Sequence, residues 1–383
     1  MATMAHAPLL LHAFSTFKVG GAQVRFAAIA NHFGQHFRHA LVAMDGQYAC
    51  RERLDPGLLV DYPDPPIRKG HTLANLREFR RVLRSRRPDT LVTYNWGSIE
   101  WAMANWPRLA RHVHIEDGFG ADEAQRQFRR RIWTRRLVLA RSSVVVPSRT
   151  LEAIAREVWG LNPCRVRYIP NGIDCARFSE PRDAARAMPW SGSGPVIGTV
   201  AALRREKNLA RLLRAFHRVS VGHGCRLVIV GDGPERARLE AFATETGISE
   251  RVFFTGHVAD PATLYLGFDV FALSSDTEQM PYTIIEAMAA GLPIAATDVG
   301  DIRHMVAPEN LPFLVPPRAE PLADALTKLV EGHESRHAIG AANQAKARAD
   351  YDGREMFRAY GAIFRGEDPY SAPVCTPAAR KPV

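Results

Sequence analysis

Two glutamates eight residues apart, Glu278 and Glu286, bracket the string EQMPYTIIE, and the apolar run AMAAGLPIAATDVGD follows. Pro281 stands just ahead of a helical pattern over 283–290 that Gly291 closes, so Glu278 falls in a loop and Glu286 in the opening turns of a helix. The first N–H groups of a helix lack partners inside it and carry partial positive charge, which suits this loop to a diphosphate. Met280, Pro281 and Thr283 line that approach. Glu286 is placed to accept hydrogen bonds from ribose hydroxyls, and Glu278, farther out, from hydroxyls of a transferred sugar. Either glutamate alone is better read as an acid that favours a helix start. The pair within its string carries the functional reading.

The elements that must hold these residues read as two α/β halves. In the second half, short apolar runs over 195–200, 226–230, 252–254, 269–273 and 293–297 alternate with amphipathic patterns over 208–219, 235–246 and 283–290. Strands alternating with helices of this length predict a parallel sheet wound on both faces. In the first half, strands are predicted over 9–13, 40–44, 90–94 and 144–146, with a tight loop at Gly20-Gly21 and a helix over 22–33. The predicted organisation is an N-terminal Rossmann-like domain over 1–178, a linker over 179–194 and a C-terminal Rossmann-like domain over 195–350. A helix over 351–366 is expected to cross back to the first domain, and the Pro- and Ala-rich stretch 367–383 to be disordered.

Composition narrows the function. The 383 residues are 46% hydrophobic and 23% charged, enough for two buried cores, and no apolar run reaches membrane-spanning length. With no signal-peptide pattern at the N-terminus, a cytoplasmic protein is expected. The five cysteines are scattered without a CxxC pair and are expected to be reduced thiols. The formal charge of +10 lies wholly in the first half: residues 1–180 hold 27 lysines and arginines against 16 acids. Two basic stretches carry it, at 76–87 and 126–141. In the second, Phe128, Ile132 and Trp133 fall near one side among arginines, a pattern suited to a core-packed helix or to an anionic membrane face.

The chemistry-bearing strings, taken in order, resemble family 4 of the retaining glycosyltransferases, whose fold is GT-B, two Rossmann-like domains facing across a cleft. The Glu278–Glu286 segment is similar to the family's E-x7-E motif. GGAQ at 20–23 resembles its N-terminal GGxE loop, and PNGID at 170–174 with Phe178 resembles its hinge string. LRREKN at 203–208, VGDGP at 230–234 and FTGH at 254–257 resemble its basic loop and strand-end signatures. Together they span about Leu10 to Phe364.

The resemblance implies a nucleotide-sugar donor on the C-terminal domain, an acceptor on the N-terminal one, and transfer with retention of configuration. It makes Lys207 the phosphate lysine and brings Gly21, which has no Cβ, and Gly231 close to the donor. The family's arginine is replaced by Ala202, so Arg204 or Arg205 must supply that charge, and Arg204 is preferred. Where relatives carry a histidine near the reacting sugar this chain has His114, Glu116 and Asp117; Asp117 is taken as the catalytic candidate. No D-x-D grip is read anywhere in the chain, and neither metal nor cofactor is expected. A UDP-sugar is the preferred donor, with a GDP-sugar as alternative, and the acceptor a glycan or a lipid-linked sugar, as in cell-surface polysaccharide synthesis.

Other classes fit less well. A nucleic-acid-binding protein would use the basic half but leaves the two-glutamate string unexplained. A dehydrogenase requires a G-x-G-x-x-G after a strand, which is absent. A sugar-nucleotide epimerase, a phosphorylase or an inactive scaffold on the same fold remain the nearer alternatives.

Overall fold

The computed structural model describes residues 7–68, 70–119, 123, 126–178 and 194–370. The chain divides into two compact units, residues 1–170 with 356–383, and residues 171–355. The strands of the first unit are β1 (Leu9–Phe14), β2 (Arg38–Ala43), β3 (Val60–Asp61), β4 (Thr90–Tyr94), β5 (Arg111–Ile115), β6 (Ser143–Val146) and β7 (Val166–Tyr168). They form one parallel sheet in the order β3-β2-β1-β4-β5-β6-β7. The second unit holds β8 (Val196–Val200), β9 (Arg226–Val230), β10 (Val252–Gly256), β11 (Val270–Leu273), β12 (Ile294–Thr297) and β13 (Leu314–Val315), parallel in the order β10-β9-β8-β11-β12-β13.

Both sheets reverse direction once, between β1 and β4 and between β8 and β11. Loops leaving neighbouring strands there diverge to opposite faces and open a crevice at the strands' carboxyl ends, where open α/β sheets take ligands. Val, Leu, Ile and Ala dominate the strands, and β4 is buried at every position, as expected of strands covered on both faces.

Helices α1 (Gly21–Phe33), α2 (Thr72–Arg86), α3 (Ile99–Ala104), α4 (Arg129–Val138) and α5 (Arg149–Ala153) flank the first sheet. The second unit contributes α6 (Leu209–Gly222), α7 (Arg236–Glu245), α8 (Ala262–Tyr265), α9 (Tyr282–Ala289), α10 (Ile302–Met305), α11 (Ala319–Glu331) and α12 (His333–Asp350). In α6, Leu209, Leu212, Leu213, Phe216 and Val219 form the buried stripe that the sequence predicts. Helix α13 (Gly353–Arg365) packs Met356, Tyr360, Ile363 and Phe364 into the first unit's core. Arg111 at the start of β5 donates to the carbonyls of Phe364 and Arg365, satisfying groups that a helix end leaves bare.

Several expectations change. The boundary falls at Pro170–Asn171, not after Phe178: Cys175 and Phe178 sit in the second unit's core beside Tyr265 and Met280. Of the expected linker over 179–194, residues 179–193 lie outside the described residues, as does 371–383. Residues 367–370, expected to open a disordered tail, are held to β7, since Asp368 pairs with Arg167 and the Tyr370 hydroxyl donates to the Tyr168 carbonyl. Cys50, Cys175 and Cys225 are buried thiols, whereas Cys164 is disulfide-bonded rather than reduced. Of the three apolar residues read near one side, Phe128 at the N-cap of α4 and Trp133 are exposed and only Ile132 packs inward, while Leu137 joins the exposed set.

Candidate active site

The crevice of the second unit is framed by the loops after β8 and β11. After β8 the chain runs through Leu203 to a short turn, Arg205–Lys207, and enters α6 at Asn208. After β11 it runs from Ser274 to the start of α9. The two loops are tied together: the Asp276 amide donates to the Glu206 carbonyl, and the Ser274 hydroxyl to the Lys207 carbonyl. This brings Lys207 Nζ within 2.5 Å of Glu278 Oε1, which also accepts from the Ser275 hydroxyl at 2.6 Å. Glu278 is nearly buried and Lys207 about a quarter exposed. The structure thus joins two of the predicted residues and adds Ser275, which no spacing rule singles out.

Backbone geometry fixes this loop. Gly300 has φ +60°, and a Cβ there would lie 2.2 Å from the Glu278 carbonyl oxygen. Asn171, the first residue of the second unit, donates its side-chain amide to the Met280 carbonyl at 2.8 Å, and its own N–H meets Met280 Sδ. Met280 and Pro281 are buried, so they set the loop's path and leave Thr283, in the first turn of α9, half-exposed. Pro281 is the N-cap of α9 and supplies no side-chain cap, leaving the helix's amino end to its backbone donors.

One and a half turns into α9, Glu286 accepts a hydrogen bond from the Tyr265 hydroxyl of α8 at 2.6 Å. Burial pushes the Glu286 carboxyl above the usual range, and the Tyr265 bond and Arg177 work against that rise. Gly231, at φ +138°, ends β9; a Cβ would lie 1.9 Å from the Ala201 carbonyl oxygen, so close packing of the β8 and β9 loops by itself requires glycine. Arg204 stands elsewhere. With Arg205, Asn208, Arg214, Glu235 and Arg238 it lines a cavity of about 440 Å³ whose walls include neither Lys207 nor Glu278.

In the first unit, Gly21 opens α1, and a Cβ there would meet nothing within 4 Å. Of the three polar residues at the end of β5 and just past it, His114 and Glu116 are fully buried. His114 bonds Thr93, and Glu116 lies 3.5 Å from Arg135, whose guanidinium sits among Trp96, Phe119 and Trp159. Asp117 alone is partly exposed. Both its oxygens are held by the buried guanidinium of Arg25, at 2.6 and 2.8 Å, and its N–H donates to Asn95 Oδ1. Asn95, just past β4, has φ 53° and ψ −179°, a conformation rare for any residue but glycine. Neither Arg25 nor Asn95 is marked by a motif.

One D-x-D string does occur, Asp350-Tyr351-Asp352, away from these stretches at the close of α12. Its carboxylates pair with Lys346 and Arg354, which accounts for them as helix-end groups.

Two doubly wound parallel sheets, one with a lysine–carboxylate pair at its switch point beside an uncapped helix, define a protein of the two-Rossmann class. The family model for Glycosyl transferases group 1 matches residues 183–346 and that for Glycosyltransferase Family 4 matches 19–177. The chain belongs to glycosyltransferase family 4. It is 34% identical to a GDP-mannose-dependent alpha-mannosyltransferase of Mycobacterium tuberculosis over 48% of each chain. It is 27% identical to a 2-deoxystreptamine N-acetyl-D-glucosaminyltransferase of Streptomyces fradiae over 78% of this chain and 79% of the relative. The first of these matches thus spans about half the relative's length. Among solved structures, HepE of Anabaena with UDP and glucose superposes at TM-score 0.80 and 19% identity, covering 94% of this chain and 100% of that one. WaaG, described as a glycosyltransferase involved in lipopolysaccharide biosynthesis, does so at 0.72 and 18%, covering 94% and 100%. These likenesses carry the fold, which is GT-B.

Proposed function

We propose that the protein transfers a sugar from a nucleoside-diphosphate sugar to a hydroxyl of a glycan or lipid-linked acceptor, with retention at the anomeric carbon. The observation that carries the reading is the Lys207–Glu278 pair beside the uncapped start of α9, with Glu286 farther along the same helix. The bond from C1 to the diphosphate oxygen breaks, a bond from C1 to the acceptor oxygen forms on the same face, and the acceptor's proton passes to the leaving diphosphate. Lys207 and the first-turn amides of α9, Thr283 among them, meet the charge that grows on that diphosphate, the largest lever such a site has. Glu278 binds hydroxyls of the departing sugar and Glu286 those of the ribose. Arg204 is the candidate second cation, and a swing of its side chain from the cavity it lines is part of the proposal. Gly21 keeps room for the donor phosphates, and Gly231 serves the packing of the β8 and β9 loops. Asp117, fixed by Arg25, addresses the reacting sugar. No divalent cation is assigned a part.

The donor base is open between uracil and guanine: the mannosyltransferase relative is named for GDP-mannose, and the HepE structure holds UDP. Thermal shifts with UDP, GDP and ADP, each at about 1 mM without metal, test the donor site. A ligand at about 100 times its Kd adds roughly 2.7 kcal/mol. Stabilisation by one nucleotide that Glu286→Ala abolishes supports the reading and names the base; no response from folded protein sinks it. Membrane contact is proposed through the outward stripe of α4, where Arg129, Arg130 and Arg136 flank the exposed Trp133 and Leu137. Failure to co-sediment with anionic liposomes at low salt would remove that part alone. The described residues contain no helix long and apolar enough to cross a membrane.

A further inference from the structure

The ribose carboxylate of the proposed site does not stand alone in its wall. Tyr265 is fully buried at the end of α8, among Phe178, Phe268 and Phe271, and its hydroxyl donates to Glu286 Oε2 at 2.6 Å. A rigid ring in a packed aromatic cluster can aim its hydroxyl in few directions, so it fixes the carboxylate's rotamer and leaves Oε1 as the oxygen free of this bond.

We propose that Tyr265 is a positioning residue for nucleotide binding, holding Glu286 ionised and turned so that Oε1 accepts a ribose hydroxyl. The inference rests on the reading of Glu286 as the ribose ligand. A buried carboxylate tends to take up a proton, and a protonated Glu286 would offer a donor where the ribose hydroxyl needs an acceptor. Three groups act on it besides its own burial. The Tyr265 hydroxyl and Arg177 favour the charged form, and Asp260 opposes it. Arg177 and Asp260 are paired with each other at 2.5 Å, and both are about half exposed. Solvent and this pairing damp their effects, so Tyr265 is the decisive partner.

Removing the hydroxyl raises the Glu286 pKa further, so binding is lost at a higher pH as the solution is acidified. A hydrogen bond to a charged group is worth about one pKa unit or more. Tyr265→Phe keeps the ring and its packing. The test is calorimetric titration of wild type, Tyr265→Phe and Glu286→Gln with UDP and with GDP, from pH 5 to 8. The expected result is an acid limb of the binding profile displaced upward by about one pH unit in Tyr265→Phe, with affinity about ten-fold weaker near the limb and closer to wild type at pH 8. A uniform loss across the pH range, or no change, while Glu286→Gln still weakens binding, overturns the positioning role and leaves the ribose reading intact. If Glu286→Gln binds as wild type does, the ribose reading fails and this inference falls with it.

Discussion

At the residue scale, Lys207 and Glu278 are bound to each other, so neither can be judged by its charge alone. The 2.5 Å contact sets the two charges against each other with Glu278 nearly buried, and the diphosphate proposed to bind here must compete for the ammonium. Lys207→Ala removes the cation and leaves Glu278 with Ser275 as its remaining side-chain partner. We expect kcat to fall on the order of a hundred-fold or more, the usual cost of losing one donor to a developing anion. The fall should be larger than any change in KM for the donor, and steady-state kinetics at saturating donor check this. Two glycines sort packing from ligand space. Gly231→Ala forces a Cβ to 1.9 Å from a carbonyl at φ +138° and should destabilise by about 2 kcal/mol or more, read from urea denaturation. Gly21→Ala meets nothing within 4 Å and should leave stability within about 0.5 kcal/mol. If its activity falls all the same, the space belongs to the donor.

At the scale of elements, the second unit was largely legible. Its strands have the short apolar runs of a two-faced parallel sheet, and the predicted span over 226–230 coincides with β9. The stretch 283–290 differs from α9 by one residue at each end. The first unit was less so: β3 is two residues long, β7 three, and β5 reads Arg-His-Val-His-Ile. The two histidines of β5 are buried in a hydrogen-bonded chain from Ser142 through His112 and Thr93 to His114, an arrangement no apolar pattern announces. In the site, the two glutamates, Lys207 and the start of α9 came from motif and spacing. Ser275, Tyr265, Asn95 and Arg25 act through contacts made by other elements, invisible along the chain. Asn95 gives the element scale its own test. Its backbone is strained, and its amide oxygen holds the Asp117 N–H across from β5. Asn95→Ala loses the bond and keeps the strain, whereas Asn95→Gly loses the bond and relieves it. Chemical denaturation should place the alanine variant about 1 kcal/mol or more below the glycine one. Equal stabilities would mean that the strain is not real.

At the scale of the whole molecule, the two units share a topology and differ in what their cores bury. The first unit's core holds His12, His39, His112 and His114, none of them more than 5% exposed. Burial drives His39 down to about 4 and His112 to about 3, and holds His12 well below its ordinary value, helped by its neighbour His39. No histidine in the second unit is buried to this degree among the described residues. A histidine kept neutral in the fold, with an ordinary value near 6.5 when unfolded, lets the unfolded chain take up protons first as pH drops. Stability from it is therefore present above pH 6.5 and declines between 6.5 and the folded value. For His39 that window runs to about pH 4 and amounts to roughly 3 kcal/mol. His112 adds a loss of the same sign. The first unit should thus lose stability on mild acidification while the second, which carries the residues proposed to bind the donor, is affected much less. Calorimetric melts at pH 7.5 and pH 5 should show one transition moving to lower temperature more than the other. Thermal shifts with the bound nucleotide identify the lagging transition as the second unit. His39→Gln keeps a hydrogen-bonding group beside His12 and removes one titration, so it should narrow the gap between the transitions at pH 5. If both transitions fall together at pH 5, in wild type and in His39→Gln, the buried histidines do not set the molecule's acid limit.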